Sequence, residues 1–187
     1  MSEPTTKDPA AEAAAGDPTR RFRDFTLFQG LEEAQIADFL AKGEWLVLPA
    51  GEVFIDQGAR GGSVYFISDG RLEVFGRDEH GREHVLAEIQ APAVVGEVEF
   101  LTREPRAASV RAKTPSRGFA ISGDRMRERL EAGDPVTSRV FFSMARVLAR
   151  RLAAMNRKFI ELDQRGPGAR FDELRDFQTR LMSEWTM

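Results

Sequence analysis

"EWLVLPAGEVFIDQGARGGSVYFISDGRLEVF", residues 44–75, decides the fold class. Short apolar runs alternate with Pro-Ala-Gly, Asp-Gln-Gly and Ser-Asp-Gly, residues that turn a chain rather than continue it. The same rhythm continues through "RLEVFGRDEHG", "REHVLAEIQAP", "AVVGEVEFL", "RAASVRAKTPS" and "RGFAIS" to about Ile121. Strand-length segments spaced roughly ten residues apart argue for an antiparallel sandwich or barrel and against βαβ units. "RDEHGRE", Arg77 to Glu83, lies between two apolar runs and carries Gly81, so it reads as a hairpin turn.

Helical patterns flank this block. Upstream, Leu31, Ala34, Ile36 and Leu40 sit among good helix formers, and "QGLEE" puts acids at a helix start. Downstream, "SGDRMRERLEAG" reads as a short helix with Ser122 or Asp124 at its N-cap and Gly133 as its stop. A long helix follows, with Asp134 as N-cap and Pro135 at the first helical position. Along it Phe141, Leu148, Met155 and Leu162 recur every seven residues, with Ala145, Leu152 and Phe159 four residues after the first three. That is a heptad seam, and Val140, Met144 and Val147 form a second apolar stripe beside it. A helix apolar on two sides can pack on its own domain and on a partner helix. The expected partner is a second copy of the chain, through Phe141, Ala145, Leu148, Leu152, Met155, Phe159 and Leu162.

The 187 residues carry 27 basic and 30 acidic side chains, for a formal charge of −3, and hold no cysteine and two histidines. Disulfides and thiolate chemistry are excluded, and a basic excess suited to nucleic acid is missing. His80 and His84 flank the hairpin turn and read as solvated; Trp45 reads as strand packing. No nucleophile–base pair, paired carboxylates or metal-ligand spacing stands out, so an enzyme is not expected, nor a cofactor or metal. No apolar stretch is long enough for a membrane span, and no secretory signal is legible, which points to the cytoplasm. Residues 1–19 read as a disordered tail. Residues 20–164 form one domain including the long helix. Residues 165–187 form a linker, "RGPG", and a short amphipathic helix through Phe171, Leu174, Phe177 and Leu181.

Within the β block, "GEVEFLTREPRAASV", residues 96–110, joins a glycine, a carboxylate and an arginine. A phosphodiester needs a fixed cation and backbone N–H donors, and arginine offers paired donors in a planar fork. Glycine lets the backbone approach the anion, and a carboxylate can accept from a neighbouring sugar hydroxyl. Gly96, Glu97 and Arg106 therefore suit a ribose-phosphate clamp. A surface ion pair at a turn is the bland alternative.

"LFQGLEEAQI", "LPAGEVFIDQG", "GGSVYFISDGRLEVF", "DEHGREHVLAEI" and "GEVEFLTREPRAASVRAKT" follow one another in an order and spacing that resembles the cyclic-nucleotide-binding domain family. Bacterial catabolite activators and protein kinase A regulatory subunits carry such sensor domains. The resemblance implies a mainly β fold, an antiparallel β-roll or jelly-roll barrel with an N-terminal helix and a long C-terminal helix. It implies that residues 96–110 are the phosphate-binding cassette, opened by Gly96, Glu97 and Val98. Arg106 would then meet the exocyclic phosphate, Glu97 the ribose 2′-hydroxyl, and the Ala107 N–H would assist. Val74, Leu86 and Ile89 would line the pocket near the base, and Met155 and Asn156 would fall at the lid. Alanine rather than threonine after the arginine leans toward cAMP, with cGMP as the alternative.

One departure is Glu99, where the family cassette usually has a small residue. Two like charges about 4 Å apart at an effective dielectric near 20 repel by about 4 kcal/mol, whereas a side chain turned to solvent is screened. The functional expectation is a cyclic-nucleotide sensor signalling by conformational change to an unidentified protein effector. The alternatives are a ligand-free interaction module, or the sensor half of a truncated DNA-binding regulator. Only some 20 residues follow the long helix, so no helix-turn-helix and no DNA binding are expected. The closing helix is either the effector contact or a strap onto the β domain.

Overall fold

The computed structural model describes residues 18–23, 25–60 and 62–165. The tail, the linker and the closing amphipathic helix lie mostly or wholly outside the described residues. Eight strands run β1 Glu44–Leu48, β2 Val53–Ile55, β3 Ser63–Asp69, β4 Arg71–Arg77, β5 Glu83–Gln90, β6 Ala93–Val95, β7 Ser109–Ala112 and β8 Ser116–Ser122. They form two four-stranded sheets, in the orders β1-β8-β3-β6 and β2-β7-β4-β5, and the pairs are antiparallel. Each strand expected from the turn punctuation is present, and the sheets face each other as a β-roll.

Period-2 alternation builds two cores from the first sheet. Tyr65 and Ile67 of β3 point inward, with Leu46, Leu48, Val95 and the inner faces of β4, β5 and β7, to fill the roll. Val64 and Phe66 point outward and join Val94, Phe119 and Ile121 in a second core roofed by helices. Those helices are α1 Pro18–Arg23, α2 Glu33–Leu40, α3 Glu97–Thr102, α4 Gly123–Glu131 and α5 Pro135–Arg165. α1 begins two residues inside the expected tail: Phe22 is fully buried, and its ring meets Phe25, Phe28 and Trp45 at 5.9 Å. The apolar content of "FRDFTLF" anchors it, which its short length conceals as a helical signal. α2 starts at Glu33, within the expected QGLEE start and with an acid in its first turn, and Glu32 and Gln35 form a reciprocal capping box.

α5 follows Asp134 as expected. The Asp134 carboxylate accepts the Thr137 N–H at 2.7 Å, closing the helix N-terminus. Arg129 of α4 bonds Thr137 Oγ1 at 2.9 Å and reaches Asp38 of α2 and Asp134, both at 3.0 Å. Burial works to raise the Asp134 carboxyl, but the Thr137 hydrogen bonds and Arg129 outweigh it, so it sits below the usual carboxylate range. A depressed folded value means that this stabilisation is complete above the unfolded value near 4 and fades as pH falls through the lower folded value. Asp134→Ala should therefore cost about 1–2 kcal/mol at neutral pH. Urea titrations of both proteins should show that difference shrinking below about pH 4; a pH-independent difference would count against the charge.

The long helix divides its apolar residues differently from the heptad reading. Val140 and Met144 are buried, and Phe141, Val147 and Leu148 pack against the same helical core. Among its described residues the large apolar side chains left exposed are Phe142, 65% exposed, and Leu152, 62% exposed. Neighbouring residues on a helix point about 100° apart, so the domain claims Phe141 and Leu148 from the expected seam. Ala145 is half-buried. The side chains of Met155, Phe159 and Leu162 lie outside the described residues. Among the described residues no helix is long and apolar enough to cross a membrane.

The hairpin at Asp78–Gly81 is as expected, with one added contact. Both histidines are exposed, but the His84 ring lies 3.0 Å from Asp78 Oδ2 instead of being merely solvated. With that bond, and those from the Arg82 backbone and side chain and the His80 N–H, Asp78 is lowered to about 2.

Candidate functional site

The segment 96–110 leaves β6 at Gly96, whose φ of +87° places it in the left-handed region that favours glycine. α3 then runs for six residues and ends at Arg103, itself left-handed with φ +60°. Thr102 Oγ1 donates to the Val98 carbonyl and accepts the Glu104 N–H, fixing the exit from the helix. The chain returns extended, and the Arg106 N–H donates to Ala59 O at 2.9 Å while Arg106 O accepts from the Gly58 N–H at 2.8 Å. The glycine turn before β3 thus holds the arginine backbone.

That backbone anchoring sends the guanidinium inward. Arg106 is 7% exposed; its Nη1 donates to Gly96 O at 2.8 Å and its Nη2 to Ser63 O at 2.7 Å. The two ends of the segment are thereby closed onto the start of β3. Backbone glycines make the room: a Cβ at Gly62 would lie 2.6 Å from Nη2, and one at Gly96 2.6 Å from Nη1. Gly62 and Ser63 were not singled out in the sequence. Their only signal is the glycine pair before β3, since a carbonyl acceptor leaves no mark on residue type.

Glu97 and Glu99 are both buried, at 5% and 7% exposed. Glu99 does not turn to solvent: its Oε2 lies 3.6 Å from Arg106 Nη1, an ion pair between side chains less than a tenth exposed. The next residue, Phe100, is buried and meets Phe141 of α5 edge-on at 6.2 Å. Arg127 of α4 donates to its carbonyl at 3.3 Å and covers its ring at 5.6 Å. α3 is therefore wedged between the sheet, α4 and the long helix.

The structure brings Gly96 and Arg106 together at the start of β3, and Glu97, the residue after Gly96, is buried at the start of α3. Ala107 is exposed directly after the arginine. Val74 and Ile89 are buried inside the roll, and Leu86 packs beside them. Leu86 reaches that face through a bulge: Val74 pairs with Ala87 and Phe75 with Val85, leaving Leu86 between them without an opposite residue. Val98 is 42% exposed on α3 and is not brought to the guanidinium. Asn156 is exposed on α5, and the Met155 side chain lies outside the described residues.

The family model for the cyclic nucleotide-binding domain matches residues 32–132. A CRP-like cAMP-activated global transcriptional regulator of Mycobacterium tuberculosis is 26% identical over 136 residues, covering 73% of this chain and 59% of that protein. A cAMP-dependent protein kinase regulatory subunit of Emericella nidulans is 32% identical over 112 residues, covering 60% of this chain and 26% of its own length. The chain thus spans less than two thirds of these relatives. Among solved structures, a cyclic nucleotide-binding domain from Methylobacillus flagellatus superposes with a TM-score of 0.67 at 16% identity, covering 82% of this chain and 86% of that one.

Proposed function

Because the chain belongs to the cyclic nucleotide-binding domain family, we propose that it is a cyclic-nucleotide sensor whose ligand is cAMP. The observation that carries the reading is the closure of residues 96–106 by Arg106 on Gly96 O and Ser63 O. It collects a glycine turn, a buried carboxylate and a fixed cation, the chemistry that a ribose-phosphate demands. The mycobacterial relative, a cAMP-activated regulator, and the fungal one, a cAMP-dependent kinase regulatory subunit, support the same ligand. So does Ala107 in the place where a threonine would favour cGMP.

In this reading the N–H groups of Arg106 not spent on Gly96 O and Ser63 O meet the phosphate, Glu97 accepts from the 2′-hydroxyl, and Val74, Leu86 and Ile89 form an apolar wall. The output is mechanical. A ligand that moves α3 moves Phe100 against Phe141, and the long helix transmits that shift to a protein effector. Phe142 and Leu152, the most exposed of the large apolar side chains among the described residues, are the natural contacts for a second copy. The protein is read as a regulator, not an enzyme.

Calorimetric titration with cAMP and cGMP tests the ligand. Saturable binding, tighter for cAMP, is expected, and no heat with either at millimolar nucleotide overturns it. The Glu99–Arg106 contact favours a second reading, a ligand-free interaction module, which that silent titration would select. Tight, salt-dependent DNA retention would instead favour a DNA-binding regulator.

A further inference from the structure

We propose that Glu99 is an internal counter-anion of the cassette, a carboxylate that competes with the incoming phosphodiester for Arg106 and so sets the affinity of the site. The inference rests on the cyclic-nucleotide reading and specifies what limits it. Its basis is the buried geometry. Arg106 is the positive partner of a contact in which Glu99 Oε2 stands 3.6 Å from Nη1, and both side chains are less than a tenth exposed. Solvent cannot screen a pair so enclosed as it screens surface charges. A phosphodiester that reaches Arg106 brings a second negative charge to the same enclosed cation.

The backbone leaves Glu99 little freedom to yield. Its carbonyl accepts the Arg103 N–H at 2.8 Å at the end of α3. The following Phe100 is fixed between Phe141 and Arg127. The guanidinium is equally constrained, since both terminal nitrogens already donate to carbonyls and glycines stand against them at Gly62 and Gly96. The distance exceeds a direct hydrogen bond, so the carboxylate acts on the cation through charge rather than by occupying one of its donors. Ligand must therefore overcome Glu99 by displacing its side chain or by tolerating it, and either lowers affinity relative to an uncharged residue.

The test is calorimetric titration of cAMP into the wild-type chain, Glu99→Ala, Glu99→Gln and Glu99→Ala/Arg106→Ala, with circular dichroism verifying the fold of each. Both single variants should bind cAMP at least about tenfold more tightly than wild type. Glu99→Gln keeps the size and removes the charge, so its gain identifies the electrostatic cause, and adding Arg106→Ala should abolish it. Wild-type binding left unchanged or weakened in both single variants overturns it while the sensor reading stands. Silence from wild type and both single variants overturns the two together.

Discussion

Arg106→Ala is expected to unfold at a Tm lower by about 6–20 °C and to lose cyclic-nucleotide binding altogether. The size of the stability effect follows from what the guanidinium leaves behind. Glu99 would remain 7% exposed with its cation gone, and the Gly96 and Ser63 carbonyls would lose their Nη donors. Removing one partner of a buried pair costs about 3–5 kcal/mol, because the other charge stays desolvated. At this chain length each kcal/mol moves Tm by about 2–4 °C. Removing both charges has a different consequence. Glu99→Ala/Arg106→Ala should recover at least about 1 kcal/mol relative to Arg106→Ala alone, since contacting residues do not add independently. Urea unfolding of the four proteins in this cycle measures that coupling. Strict additivity would mean that Glu99 and Arg106 do not interact, and would remove the premise on which Glu99 acts as a counter-anion.

The second large effect lies away from the site. Phe66→Ala should destabilise the domain by about 3–5 kcal/mol without changing the chemistry of the cassette. Phe66 is fully buried on the outer face of β3, with rings of Phe39, Phe28, Phe119 and Phe25 at 5.6, 5.9, 6.0 and 6.5 Å. It is the hub where the sheet meets the helical roof, so truncation leaves a cavity bounded by other rings that cannot collapse together. Val98→Ala is the matched control: at 42% exposed on α3 it should stay within about 0.5 kcal/mol of wild type. Denaturant titration compares the two. A loss below about 1 kcal/mol for Phe66→Ala would show that the helical roof repacks, and would contradict the close aromatic packing.

The strands and the start of the long helix were legible because their causes are local. Gly and Pro punctuation sets where a strand ends, and Asp134-Pro135 sets where α5 begins, without reference to anything distant. The aromatic "FRDFTLF" was legible only as composition: Phe22, Phe25 and Phe28 become a core through Phe66 and Phe39, which the chain supplies much later. How the heptad residues divide was not legible for a related reason. Periodicity shows that a stripe exists, but which neighbour covers Phe141 and Leu148, and which leaves Phe142 and Leu152 outside, depends on how the domain meets the helix. Leu86 needed the β5 bulge to reach the interior, and a bulge depends on pairing with β4.

By itself the sequence determined eight strands, the helices from Glu33 onward and, through its resemblance to the cyclic-nucleotide-binding domain family, the position of a Gly-Glu…Arg cassette. The strands and helices follow from residue types and short spacings. The tertiary structure decided the strand order, the division into two cores and the direction of Glu99. That last point turns on what surrounds α3. Glu99 lies where Ser63, Gly62 and Gly96 hold Arg106 inward, and burial there leaves the carboxylate facing the cation instead of water. A charge in a short helix has no inherent direction; the low-dielectric surroundings and the cation within them, assembled from β3, β6 and the returning chain, give it one.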